Sequence, residues 1–529
     1  MRIALAQIDP CTGAFRYNLQ VALGMAQAAA EEGAELVVFP EFALSGAVNE
    51  GIVWSESFVT HARGIVDDFA AKTPIPAIVG TVCGAGDPGC EAGDSGAFLC
   101  AGGRASLITS PSDEVPTVEL PDGGQIAVCL GFELEYDEPA VSTRLVVEMA
   151  ADTFDGPASL PTSERSLAEA RERATTGQVW IAHANLAGGQ DERVFSGGSY
   201  VMSADGEVVA GKQLFTQCLV VADTDDPGYS SDYSVVLPDE PDEARLWHAL
   251  VVATHDYVTK NRFSDVVVGI SGGIDSAVTT TLAVDALGAE HVHGVMMPGP
   301  VSSEGSVTDA RELAGRLGVE VSSAPIDAPL EAFRDSLAEV CGGSVEGVAL
   351  ENLQARIRMI TLMTMANARG WMVLNTGNKS ESAVGFSTLY GDTAGGFAPL
   401  GDVYKTQVYE LARWRNGDDE PIPQAILEKA PSAELYDGAR DDDRLPPYDL
   451  LDAIVSRHVE GGESLADLVL EGFDAAVVQD VLDRVANAEF KRRQEPPYPA
   501  VSGASFDFRD WPITNRFTDR QPGMQMFGQ

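Results

Sequence analysis

Residues 266–278 read VVVGISGGIDSAV. The apolar, β-branched run ending at Ile270 has the make-up of a buried strand. The turn Ser271-Gly272-Gly273 follows at once, and a helix is expected to start near Asp275. Strand, glycine turn and helix together bring backbone N–H groups and the positive end of a helix onto an anion. Ser271 and Ser276 add hydroxyls that can donate to phosphate oxygens. Asp275 is an acid placed beside that anion site, which makes chemical sense when Mg²⁺ lies between the two. The pattern is not GxxxxGK[ST]; the bland alternative is a plain glycine turn with a capping aspartate.

Around this turn the chain alternates strands and helices to about residue 415 and then becomes helical with proline-rich loops. An earlier β-α-β rhythm starts at RIALAQID (residues 2–9) and continues through ELVVFPEF (35–42), PAIVGTVCG (76–84), QIAVCLG (125–131) and VWIAHANLAGG (179–189). The hairpin-like SADGEVVAGK (203–212) points to mixed strand directions. Between the two rhythms, DTDDPGYSSDYSVVLPDEPDEA is polar, acidic and proline-containing, as a linker would be. The expected layout is therefore two α/β domains, residues 1–225 and 246–529, joined by 226–245.

Composition narrows the class. A chain of 529 residues with 45% hydrophobic residues has the means for two packed cores. No apolar run reaches the roughly 18 residues of a membrane span, and no signal-peptide pattern opens the sequence, so a soluble, cytoplasmic protein is expected. Seven cysteines at irregular spacing match neither a disulfide framework nor a metal pattern. The formal net charge of −45 argues against nucleic-acid binding, which needs a basic surface. It fits solubility in a salty interior. Where basic residues are this scarce, clusters of them deserve a functional reading.

The SGGxDS turn resembles the ATP-pyrophosphatase signature. GVMMPGPVSSEGSVTDARELAGRLGV, ENLQARIRMITL, VLNTGNKSESAVGFSTLYGDTAGGFAPLGDVYKTQVYELARW, PSAELYDGARDDDRLPPYDLLDAIV and EFKRRQEPPY resemble NAD synthetases, over essentially all of 246–529. That likeness implies a Rossmann-like ATP-pyrophosphatase domain, with ATP at the carboxyl ends of its strands. The implied reaction is ATP- and Mg²⁺-dependent amidation of deamido-NAD through an acyl adenylate, releasing pyrophosphate and then AMP. Asp275, Lys379 and Glu381 are the implied catalytic residues, with Asp275 and Glu381 as Mg²⁺ ligands. ATP contacts fall on Ser271, Gly272, Gly273, Ser276 and Thr376. Deamido-NAD contacts fall on Asn352, Arg356, Glu381 and Lys491. Arg356 stands four residues from Asn352 and shares its helix face, whereas Arg358 does not. Ala439 departs from the family by replacing a glutamine before the acidic run, and the tail VSGASFDFRDWPITNRF is less basic than expected. A GMP or asparagine synthetase is disfavoured by ENLQARIR and FKRRQ, and a catalytically dead scaffold by the intact SGGIDS and GNKSE motifs.

RIALAQIDPCTGAFRYNL, ELVVFPEFALSG and ANLAGGQDERVFSGGSYVMSADGEVVA resemble the nitrilase-like, carbon–nitrogen hydrolase glutaminase domain fused to such synthetases. The implied fold is an α-β-β-α sandwich, and the implied machinery a Glu-Lys-Cys triad. Glu41 matches the base. Pro111 stands roughly where the lysine belongs, and no lysine occurs between Lys72 and Lys212. Arg104 falls several residues early. In IAVCLGFELEYDEP (126–139) an ungapped alignment puts Gly131 at the nucleophile position and Glu133 at the following acid. The rival makes Cys129 the nucleophile at the cost of a two-residue deletion within a strand. Strand alternation would place Cys129 and Gly131 on one face, about 6.5 Å apart. The resulting expectation is a degenerate glutaminase domain, with free ammonia as nitrogen source and homo-oligomeric assembly as in relatives. The alternative is an active glutamine-dependent enzyme using Cys129.

Overall fold

A computed structural model of the chain describes residues 1–47, 50–53, 55–84, 87, 94–109, 115–119, 124–131, 143–226, 228–229, 231–236, 239–417, 419–432, 434–436, 438, 440–506 and 512–513. Pro111, Glu133 and Ala439 lie outside them. The chain divides into two compact units, Met1–Arg245 and Leu246–Gln529.

The first unit is built on two six-stranded sheets. One runs Cys218–Asp223, Arg2–Gln7, Leu36–Val38, Ala77–Val82, Ser95–Ala101, Arg104–Thr109 in spatial order. The other runs Val208–Gly211, Tyr200–Met202, Trp180–Asn185, Thr143–Ala150, Gln125–Leu130, Thr117–Glu119. Both are mixed, with parallel strands in the middle and antiparallel strands toward the edges.

Alternation along the strands decides what meets what. Ile3, Leu5, Val38 and Ile78 of the first sheet share one buried cluster with Ile126, Val128, Val147 and Ala182 of the second, which is the core between the sheets. The opposite face of the first sheet, including Ala4, Val37, Val79 and Phe98, packs beneath helices Phe15–Glu31 and Glu56–Ala70. Those helices bury Leu19, Ala22, Ala26, Ala29 and Phe58, Ala62, Val66, Phe69, the spacing of three and four that keeps one stripe inward. Ala170 and Ala174 of helix Glu164–Gly177 cover Ile181, Tyr200 and Met202 on the outer face of the second sheet. The result is an α-β-β-α sandwich.

The proline-containing acidic stretch before residue 245 is not a free tether. Val221 N–H donates to the Tyr233 carbonyl, Ser234 Oγ to the Val221 carbonyl, and Val236 bridges to Gly211. Five described cysteines stand outside disulfides, while Cys83 is disulfide-bonded.

The second unit carries a four-stranded parallel sheet in the order Glu320–Ser323, Val292–Met296, Val266–Gly269, Met372–Leu374. Its second core is helical. Leu451, Ile454 and Val455 of Tyr448–Val459 and Val478, Val481 and Val485 of Ala475–Arg492 pack together with Ala383 and Val384. Among the described residues no helix is long and apolar enough to cross a membrane.

Candidate active sites

The glycine turn stands at the carboxyl end of the central strand Val266–Gly269, and helix Ile274–Leu287 leads away from it. Gly272 has φ +79°, and a Cβ there would lie 2.3 Å from the carbonyl oxygen of Ser306, so only glycine fits. Inside the turn, Ser271 N–H donates to Ser276 Oγ (3.2 Å) and Gly273 N–H to Ser271 Oγ (3.2 Å). Ser276 Oγ donates to the Gly273 carbonyl (3.0 Å). That hydroxyl is therefore engaged in shaping the turn, a role the sequence does not announce.

Asp275 lies one residue into the helix. Its Oδ1 accepts from Asn378 Nδ2 at 3.0 Å, and its Oδ2 faces Lys405 Nζ at 2.5 Å. Lys405 is buried, 3.6 Å from Glu381 Oε1, with its ammonium 5.2 Å from the Tyr448 ring centroid. Burial pushes the Glu381 carboxyl up to about 8; Asp275, Asp441 and Asp392 push the same way against Lys405. Lys405 is raised in turn by these carboxylates, which outweigh its desolvation. One cation thus stands among several acids.

These groups open onto a cavity of about 510 Å³. Ser271, Gly273, Ser276, Thr376, Asn352 and Lys491 line it together with Asp275 and Glu381. Asn352 Oδ1 accepts from Thr388 Oγ1 (2.9 Å), and Lys491 Nζ donates to the carbonyls of Gly385 (2.6 Å) and Ser387 (2.7 Å). Gly272 shapes the turn without lining the cavity. Arg356 turns toward the same loop as Asn352, donating to the Leu389 carbonyl at 3.1 Å, but does not reach the cavity wall. Arg358 does, donating to the Met297 carbonyl at 3.1 Å; burial lowers its pKa.

Lys379 is not part of this group. Fully buried, its Nζ meets Asp402 Oδ1 (3.0 Å), Glu460 Oε1 (2.9 Å), Ser502 Oγ (2.5 Å) and the Ala504 carbonyl (3.0 Å). The tail segment around Ser502 thus contacts a lysine of the fold. The lysine that stands among the site's acids is Lys405. Asp441 and Asn378 are further residues that the sequence reading does not single out, and Arg358, which that reading set aside for Arg356, is the arginine on the cavity wall.

In the first unit Glu41 lies in the turn after strand Leu36–Val38, followed by Phe42 with φ +56°. Burial pushes its carboxyl up to about 7; a hydrogen bond with Ser95 opposes this and the charge of Asp152 adds to it. Asp152 is 3.5 Å from His183 Nε2, His183 Nδ1 is 3.1 Å from Glu148 Oε2, and Arg173 meets Glu148 Oε1 at 2.8 Å. Despite its burial, the imidazole is raised to about 9 by these two carboxylates.

Cys129, Glu148, His183 and Tyr200 are register partners across four strands, on the outer face of the sheet. Cys129 is 1% exposed and packs with Ala127, Val146 and Val179. Gly131 follows the strand with φ +66°, its N–H donating to the Met149 carbonyl, and a Cβ there would meet open space. Strand alternation stops before it, so the inference that Cys129 and Gly131 share a face does not hold. Arg104 is exposed at the start of its strand.

The NAD synthase family model matches residues 246–495 and the carbon-nitrogen hydrolase model residues 2–77 and 106–230. A glutamine-dependent NAD(+) synthetase from Rhodobacter capsulatus is 37% identical, the alignment covering 98% of this chain and 99% of the relative. One from Thermotoga maritima is 35% identical over 98% and 99%. The solved structure of the glutamine-dependent NAD+ synthetase from Acinetobacter baumannii in complex with ADP is 31% identical, with a TM-score of 0.74 and 98% and 99% covered. These relatives are glutamine-dependent across the same two-domain length, which overturns the expectation of a degenerate glutaminase domain and favours the glutamine-dependent alternative over free ammonia.

Proposed function

Because this chain belongs to the glutamine-dependent NAD(+) synthetase family, we propose that it amidates the nicotinic acid carboxylate of deamido-NAD, with ATP as the activating substrate and glutamine as the nitrogen donor. The observation that carries the synthetase half is Asp275, Lys405 and Glu381 converging beside a glycine turn on one 510 Å³ cavity. The carboxylate attacks the α-phosphate of ATP, pyrophosphate leaves, and ammonia displaces AMP from the acyl adenylate. Every stage moves negative charge across a phosphate, so positioning and charge neutralisation are the main contributions asked of the protein.

The N-terminus of helix Ile274–Leu287, presented by the turn, cradles phosphate oxygens. Lys405 supplies the cation the developing charge needs, and Thr376 contacts ATP from the cavity wall. Asn352 and Lys491 hold deamido-NAD, with Arg356 supporting the loop that Asn352 contacts. Asp275 and Glu381 suit Mg²⁺: the ion takes one or two carboxylates plus substrate phosphates, and both residues line the cavity beside the glycine turn. Bound there, Mg²⁺ would neutralise the polyphosphate.

In the amidase half Glu41, with its raised pKa, suits a general base working near neutral pH. The proposed thiol is Cys129, the cysteine of the Gln125–Leu130 strand; its 1% exposure is the observation against it. NAD formation with glutamine and with ammonium, in wild type and Cys129→Ala, tests the reading. Glutamine should support synthesis, and Cys129→Ala should abolish that while sparing ammonium-supported turnover. Wild-type enzyme inert toward glutamine overturns the donor, and unchanged glutamine use in Cys129→Ala overturns the nucleophile.

A further inference from the structure

Asn378 is fully buried beside the acidic cluster and joins two of its members. Its Oδ1 accepts the backbone N–H of Glu381 at 3.1 Å, capping helix Lys379–Val384. Its Nδ2 donates to Asp275 Oδ1 at 3.0 Å. One amide therefore binds the backbone of Glu381 and the side chain of Asp275, the latter 103 positions from Asn378 in the chain.

Residue type sharpens the point. Asn, Asp, Ser and Thr all serve as helix N-caps. Aspartate has no donor for Asp275 when ionised and would add a third carboxylate beside it. Serine and threonine keep the cap, but their hydroxyl sits nearer the backbone and cannot span both partners. Asparagine alone of the four offers an acceptor and a separate donor at one side-chain end. Lys405 occupies Asp275 Oδ2, so both oxygens of that carboxylate are oriented from outside its own helix.

We propose that Asn378 is a positioning residue that fixes the Asp275 and Glu381 carboxylates relative to each other for a divalent cation. This rests on the reading that those two residues hold Mg²⁺ with ATP. Outer partners of metal-binding carboxylates set their orientation, and losing one costs about 10–100-fold in metal affinity.

The test measures Mn²⁺ binding by electron paramagnetic resonance in the full-length protein with a non-hydrolysable ATP analogue. Asn378→Ser and Asn378→Thr, which retain a cap, are compared with wild type and with Asp275→Asn. The expected result is Mn²⁺ affinity at least about tenfold weaker in both cap-retaining variants, with the thermal midpoint and nucleotide affinity near wild type. Their kcat should be lowered and partly rescued by raised Mg²⁺. Wild-type Mn²⁺ affinity in either folded variant overturns the inference. Undiminished Mn²⁺ binding in Asp275→Asn instead overturns the metal assignment beneath it. If one variant fails to fold, the other decides.

Discussion

Two lysines in the second unit each open a helix, Lys379 at 379–384 and Lys405 at 405–415, and both are buried. A cation at a helix N-terminus opposes the helix dipole, so each residue advertises acidic partners without saying which. Only tertiary packing separates them: Lys405 meets Asp275 and Glu381, Lys379 meets Asp402 and Glu460. The place of Asp275 and Glu381 in the fold is legible, because each motif fixes its acid in the first turn of a helix. Which lysine packs against them is not. The two should therefore fail differently. Lys405→Met is expected to lower kcat about 10²–10³-fold with glutamine and ammonium alike, the loss typical of one charge-stabilising donor, with the fold retained. Lys379→Met leaves the buried Asp402 carboxylate without its cation and should destabilise the protein by about 3–5 kcal/mol. Steady-state kinetics alongside urea unfolding separates these outcomes; a stable but inactive Lys379→Met would return that residue to the chemistry.

At the level of elements, strands and helices followed from period. RIALAQ, QIAVCL and WIAHAN are strands, and the glycine turn joins strand to helix. What period misses is where it stops. Gly131 leaves strand geometry, so counting by twos from Cys129 gives the wrong direction. Nor does period reveal that the outer face of the same sheet carries Glu148 and His183 rather than apolar residues only, because a lone histidine on a strand reads as packing. The turn itself allows a direct test. Gly272→Ala places a methyl against the Ser306 carbonyl at a left-handed φ, so the turn and the start of helix Glu304–Leu317 must move apart. We expect KM for ATP to rise at least about tenfold, from lost alignment of the phosphate-binding N–H groups, with unfolding of the Met1–Arg245 unit unchanged. An unaltered KM would show that the turn tolerates the shift.

For the molecule as a whole, acid–base balance enters stability. The Glu41 carboxyl titrates near 4.5 when unfolded and at about 7 in the fold. Between those values the folded state holds a proton that the unfolded chain has lost, so this group's contribution falls as pH rises from about 4.5 to about 7. Urea midpoints of the first unit should therefore drop across that window relative to Glu41→Gln, which has no proton to lose; parallel curves would deny the shift. The division into two α/β halves was readable from rhythm and motif, whereas the folding back of residues 233–236 onto the first unit was hidden in a stretch that reads as linker. Contacts at Lys379 carry a different implication, for the order of synthesis. Two of its four polar partners, Ser502 Oγ and the Ala504 carbonyl, belong to the last part of the described chain. Domains usually fold from the N-terminus as they emerge during translation. The first unit has all its described strands by residue 223, but the second holds an incompletely partnered buried ammonium until residues 502–504 have been made. Its completion is thereby deferred until those residues have emerged, and a message truncated before residue 502 should yield a finished first half attached to an unfinished second.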